Sequence, residues 1–269
     1  ASEDPRLKVL DKQWFEGKRV LDVGCNSGAV TIEIAAVFSP RHIMGVDIDP
    51  ALVQKARMNL KWSAVKRSEE SSQTGSNDQL DKPDTESANS KQENSKVDDN
   101  KPPTQPFRPL SVQSHRGSDV RANRGPVVSN LPDSDTHPFE FPFNCSFRKE
   151  DYTEDDDFDC FYDTILCLSV TKWVHFNHGD EGIKRLFDKV YKSLAPGGCF
   201  ILEIQEWSSY KKKKSLTELF KKNVAAIRLR PEHFQEYLLK NVGFASVRSL
   251  RVPTGNSEGF HRPLLAFFK

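Results

Sequence analysis

The sequence predicts an open α/β sheet of seven strands, mostly parallel, with an antiparallel hairpin at one edge. Three observations carry that prediction. An apolar run, Arg19–Val23, ends in a glycine-bounded turn and leads into a helical pattern over Ala29–Phe38. Strand and helix patterns then alternate, as a parallel sheet with helical crossovers requires. Two closing apolar runs, Phe244–Leu250 and Pro263–Phe268, follow one another with no helical pattern between them, so they pair as a hairpin.

Taken in order, the first strand and helix are followed by a second strand, His42–Asp47, and a helix over Pro50–Trp62. Pro50 opens that helix after Asp49, a normal start signal. The composition then shifts. Ser68–Asn100 holds nine acids, three lysines and no aromatic residue, too little apolar surface to offset the entropy of ordering it. Residues 66–141 therefore read as a largely disordered insertion within a single domain spanning 1–269. Order resumes with a short alternating strand, Asn144–Arg148. The run Tyr162–Val170 is almost continuously apolar, as a central strand buried on both faces should be. A helix over Gly182–Leu194 follows, with apolar residues at 183, 186, 187, 190 and 194. It stops at Pro196-Gly197-Gly198, ahead of the strand Cys199–Glu203. Helices near Leu216–Ala226 and Pro231–Lys240 precede the closing hairpin.

Composition sets outer limits. The formal net charge is +1, so a nucleic-acid partner has to be met by a local patch. No run of eighteen apolar residues exists, so no membrane-spanning helix is expected. The five cysteines, at 25, 145, 160, 167 and 199, include no Cys-x-x-Cys pair. That spacing argues against a zinc site, and no metal is expected. Small buried thiols suit a reducing compartment, cytosol or nucleus.

Ligands of such sheets bind beyond the C-terminal strand ends, at the switch in strand order. The first turn reads Asp22-Val23-Gly24-Cys25-Asn26-Ser27-Gly28, and the second strand ends in Asp47, where an acid can accept hydrogen bonds from a ribose diol. A dinucleotide fingerprint needs glycine where Asn26 stands, so that backbone can press against a pyrophosphate. S-adenosylmethionine, a nucleoside cofactor without phosphates, needs no such approach. The spacing resembles the first motif of Rossmann-like methyltransferases, and with the edge hairpin it gives the fold as a Rossmann-like class I methyltransferase. Other strand ends bring Ile48, Asp151-Tyr152 and Leu168-Ser169 to the site. Asp47 would meet the ribose and Asp151 the adenine amino group, with Ile48 and Tyr152 on the ring faces. Beyond Leu168, the segment through Lys172, Trp173 and His175 crowds cationic and aromatic groups where a substrate would meet the cofactor. A second cluster, Trp207, Tyr210 and Lys211, Lys212, Lys213, Lys214, places eight cations and one acid between 207 and 230. Stacking and phosphate neutralisation of an RNA end need those residue types, although a solubilising lysine run or a nuclear-import signal reads the same way.

The segments 167–177, Gly179-Asp180-Glu181-Gly182, Trp207-Ser208-Ser209-Tyr210 and Gly259-Phe260-His261-Arg262-Pro263 together resemble the Bicoid-interacting protein 3 family. The resemblance covers residues 1–62 and 144–269. It implies methyl transfer from S-adenosylmethionine to the 5′-terminal γ-phosphate of a small nuclear RNA in the nucleus. Gly24, Cys25, Asn26, Gly28, Asp47, Ile48, Asp151, Tyr152 and Leu168 would hold the cofactor, with Arg6 facing its carboxylate. A tyrosine-rich stretch that closes over cofactor and RNA in that family would fall ahead of Ala1. Lys172 and Arg262 are the expected phosphate-neutralising groups, Lys211–Lys214 would guide the RNA backbone, and Trp173 and Tyr210 would shape the pocket. His175 is expected as a hydrogen-bond donor. The resemblance further implies an RNA with a 5′ triphosphate, ribonucleoprotein partners, a monomeric chain and S-adenosylhomocysteine as product. Two other readings stay open: a methyltransferase acting on protein or a small molecule, and a cofactor-binding protein that stabilises RNA with little turnover.

Overall fold

The structure, a computed structural model, describes residues 4–74, 139–154, 161–211, 217–251 and 262–269. Two 3-10 turns, Pro5–Val9 and Lys12–Trp14, lead into β1 (Arg19–Val23) and α1 (Ala29–Val37). Next come β2 (His42–Asp47), α2 (Pro50–Thr74), β3 (Cys145–Lys149) and β4 (Tyr162–Leu168). Then follow α3 (Thr171–Ser193), β5 (Leu194–Glu203), α4 (Ser208–Lys211) and α5 (Glu218–Ala226). A helical segment, Pro231–Val242, precedes β6 (Ser246–Leu250) and β7 (Leu264–Phe268).

The sheet order is β3-β2-β1-β4-β5-β7-β6, seven strands as the alternation predicts. Strands β1 to β5 run parallel, and β7 is antiparallel to both of its neighbours. Strand order reverses between β1 and β4, which opens the ligand crevice at their C-terminal ends.

Alternation along β1 sends Val20 to one face and Leu21 and Val23 to the other. The first face packs on Leu7, Leu10 and Phe15 of the N-terminal turns, on Ile32 and Ile34 of α1, and on Val53 and Ala56 of α2. The second packs on Ile183, Leu186, Phe187 and Val190 of α3 and on Phe234 and Leu238 beyond it. A smaller cluster, Phe176, Tyr210, Val224 and Ile227, holds α4 and α5 against the first half of α3.

Three element boundaries move. Helix α2 continues to Thr74, into the stretch expected to be disordered, because Ser68–Thr74 contains no residue that stops a helix. The rest of the expected insertion up to residue 138 lies outside the described residues. Helix α3 begins at Thr171 and kinks at Gly179, so Lys172, Trp173 and His175 lie on its first turns and not on a strand end. Strand β5 starts at Leu194; its register against β4 shifts across Pro196-Gly197-Gly198 before regular pairing resumes at Cys199.

Candidate active site

The turn after β1 is set by close packing. Gly24 has φ +74°, and an added Cβ would lie 2.2 Å from a Val170 methyl carbon. Gly28, at φ +77°, caps α1, where a Cβ would lie 2.6 Å from the Phe147 ring. Both positions accept only glycine, by conformation and by space. Asn26 between them also adopts positive φ, and its N–H donates to Asp47 Oδ2 at 2.9 Å. Asp49 N–H donates to the other oxygen, Oδ1, at 3.0 Å. Each carboxylate oxygen keeps acceptor capacity for a further hydrogen. Asn59 of α2 donates to Ser27 O at 2.8 Å and pins the turn from behind.

Beneath the turn Asp22 is buried, accepting from Thr31 Oγ1 at 2.6 Å. Burial raises its pKa to about 6, with Asp47 adding to the rise and Thr31 and Arg6 opposing it. Arg6 stacks two carboxylates on one guanidinium: Asp4 Oδ2 at 2.7 Å from Nη2 and Glu203 Oε2 at 3.1 Å from Nη1. Burial works against the Arg6 cation, but these acids outweigh it and raise its pKa.

Asp151, just past β3, accepts from the N–H and hydroxyl of Thr153 at 3.0 and 2.6 Å and lies 3.5 Å from His178 Nε2. Burial would raise its pKa, yet His178 and Thr153 together hold it at about 2, a carboxylate at any working pH. Ile48 beside it is 56% exposed, an apolar surface free to cover a ring. Leu168 ends β4 half-buried next to the crevice. Arg6, Asp47, Ile48 and Asp151 thus offer a cation, two carboxylates and an apolar face, the set that an α-carboxylate, a ribose and a purine require.

Four expected contacts are corrected. The Tyr152 side chain is buried in the core, its hydroxyl donating to Ser193 Oγ at 3.0 Å, so it does not cover a ring face. The Cys25 thiol is likewise buried, so the side chain offers the cofactor no contact. Tyr210 is 1% exposed and packs on Phe176 and Trp207, which removes it from RNA stacking. His175 is fully buried, its Nδ1 2.9 Å from Tyr210 Oη and its Nε2 3.7 Å from Asp180 Oδ1. Burial lowers its pKa to about 4, against the pull of Asp180, so it is neutral at pH 7 and out of substrate reach. The Tyr152 and Tyr210 hydroxyls and His175 Nδ1 find partners inside the core, which sequence pattern alone does not separate from a surface role.

Lys172 is 8% exposed, its Nζ 3.5 Å from Ser209 Oγ and 5.9 Å from the Trp173 ring centroid. Trp173 is 38% exposed at the crevice rim. Arg262 donates from Nη1 to Ser169 Oγ at 2.6 Å, immediately beside Leu168. Lys211 closes α4; its side chain and Lys212–Lys214 lie outside the described residues. Ser169 was named only as part of a strand end, without a partner, and Glu203 was missed by sequence reading. Glu203 was legible by the signal that found Asp47, an acid closing an apolar strand.

A family profile described as "Bicoid-interacting protein 3 (Bin3)" matches residues 162–269, and one described as "Methyltransferase domain" matches residues 15–73. A protein of Arabidopsis thaliana named "Probable RNA methyltransferase At5g51130" is 38% identical over 99% of this chain and 75% of its own length. This chain belongs to the Bicoid-interacting protein 3 family. The mouse family member named "7SK snRNA methylphosphate capping enzyme" is 39% identical over 99% of this chain, which spans 38% of that protein's length. In the Bicoid-interacting protein 3 chain described here the sheet is that of class I methyltransferases. A putative O-methyltransferase from Nostoc punctiforme superposes with a TM-score of 0.50 at 14% identity, covering 98% of this chain and 55% of its own.

Proposed function

We propose that this chain is an S-adenosylmethionine-dependent RNA methyltransferase that methylates the 5′-terminal γ-phosphate of a small nuclear RNA. The observation that carries the reading is that Arg262, bonded to Ser169 just past β4, and Lys172, on the first turn of α3, join Arg6, which is bonded to Glu203 at the end of β5, on the side of the sheet where Asp47 and Asp151 close β2 and follow β3. When bound, S-adenosylmethionine supplies an electrophilic methyl group on a sulfonium. Arg6 holds its carboxylate, Asp47 its ribose, Asp151 the adenine amino group, and Ile48 the ring face. A terminal phosphate has a second pKa near 6, so the acceptor is largely dianionic at neutral pH and needs no base. The neutral, buried His175 agrees with that chemistry. Lys172 and Arg262 neutralise the phosphates and hold one oxygen in line with the methyl group, where orientation and electrostatics supply the rate. Trp173 closes the rim, Lys211–Lys214 guide the RNA, and ribonucleoprotein partners, a monomeric chain and a nuclear site of action complete the proposal. The name of the mouse relative, which states methylphosphate capping of an snRNA, supports it.

The test is transfer of labelled methyl to RNAs differing only in 5′ phosphate number. Label on triphosphate RNA and none on 5′-hydroxyl RNA is expected. Lys172→Ala should lower the rate by about a hundredfold, and His175→Gln far less. Label on the 5′-hydroxyl RNA, or equal loss in the two variants, overturns the proposal.

A further inference from the structure

Glu203 closes β5 with its side chain almost fully enclosed. Its Oε2 accepts from Arg6 Nη1 at 3.1 Å and also from the Ser169 hydroxyl. Ser169 Oγ accepts from Arg262 Nη1 at 2.6 Å. A serine hydroxyl carries one hydrogen. With that hydrogen on the carboxylate, only lone pairs face Arg262, so the chain Arg6–Glu203–Ser169–Arg262 has a fixed hydrogen-bond direction. The backbone is arranged to hold it. Leu168 and Glu203 are ladder partners, and Ser169 follows at φ +63°, a left-handed conformation that a residue with a Cβ seldom adopts. Ile204 N–H donates to Pro263 O at 3.0 Å, which fixes the residue after Arg262 at the same sheet end.

We infer that Glu203 and Ser169 are positioning residues that couple the occupation of Arg6 by a carboxylate to the occupation of Arg262 by a phosphate. The inference rests on the functional reading above, in which those two arginines meet S-adenosylmethionine and the RNA terminus. A carboxylate arriving at Arg6 shares a guanidinium that Glu203 had held. Glu203 then draws the Ser169 hydrogen more firmly, its oxygen becomes a better acceptor, and Arg262 is fixed with the rest of its planar fork turned outward for a phosphate. A pre-fixed arginine loses less rotamer freedom on binding. Linkage makes the effect reciprocal, so RNA tightens the cofactor site by the same factor.

Calorimetry on the full chain tests this with S-adenosylhomocysteine and a short 5′-triphosphate RNA, each titrated alone and in the presence of the other. The unaltered chain should bind the RNA about tenfold more tightly with S-adenosylhomocysteine present. In Ser169→Gly, which relieves the positive φ, and in Glu203→Gln the two RNA affinities should agree to within about twofold. Melting curves identify any variant that fails to fold, and if Glu203→Gln does so, Ser169→Gly alone decides. A tenfold coupling that persists in a folded Ser169→Gly overturns the inference while leaving the functional reading intact. If the unaltered chain binds 5′-triphosphate and 5′-hydroxyl RNA equally, the functional reading falls, and this inference falls with it.

Discussion

At the scale of single residues, two buried ionisable side chains pull stability in opposite directions over one pH window. Asp22 has its pKa raised by burial from about 4 to about 6, so the stability it contributes is full below pH 4 and is lost as pH rises through 6. His175 has its pKa lowered by burial to about 4, so its contribution is present above its ordinary value near 6.5 and is lost as pH falls through 4. Each shift is worth about 3 kcal/mol at its limit. Burial lowers the pKa of His42 as well, which adds to the acid-side loss. Asp22→Asn should therefore melt progressively lower on acidification from pH 6.5 to 4, more steeply than the unaltered chain, whereas His175→Gln should flatten or reverse that slope. Parallel melting curves for the two variants across this window would contradict both assignments. Neither environment was legible in the sequence. Asp22 was noticed only as part of a turn motif, and His175 read as a group facing substrate, because local spacing does not say which side of a first helical turn faces the core.

The kink in α3 joins two elements. Asp180, one residue past Gly179, accepts from the N–H groups of Arg228 and Leu229 through Oδ2 at 2.9 and 3.1 Å. It thereby ties the helix to the segment after α5, whose own anchor Asn223 donates to Phe176 O at 2.8 Å. Asp180→Ala leaves two backbone donors without that acceptor, at a cost of about 1–3 kcal/mol. Faster amide exchange across Glu218–Leu229, with β1 and β4 unchanged, is the expected signature. Uniform exchange throughout the chain would place the loss elsewhere. Elements with strong periodicity were legible: β1, β2 and α5 fall within two residues of their expected bounds. The first half of α3 was not. Its apolar residues Val174 and Phe176 pack on two different clusters, so no single stripe marks it as a helix. The site was legible where an acid closes an apolar strand, as at Asp47, whereas Arg6, on a 3-10 turn, was indicated only by the family resemblance. It was not legible where contacts join residues far apart in sequence, as in Glu203 with Ser169.

At the scale of the whole molecule, every stabilising layer described lies outside residues 75–138. The composition of Ser68–Asn100 leads us to propose that this stretch adds no core. Replacing 75–138 by a short Gly/Ser linker should leave the melting temperature and cofactor affinity within error of the intact chain, since loop length costs little. A drop of several degrees would show that it packs. The sheet itself imposes an order of assembly. Strand β7, the last element of the chain, lies between β5 and β6 and pairs with both. A ribosome delivers residues from the N-terminus, so β5 emerges with an open edge and β6 without a neighbour until Leu264–Phe268 leave the exit tunnel. The same late step brings Arg262 to Ser169. The crevice end of the sheet is therefore completed only after the other six strands have been made, and a message cut short between β6 and β7 yields a chain with an exposed strand edge, prone to pair with another copy.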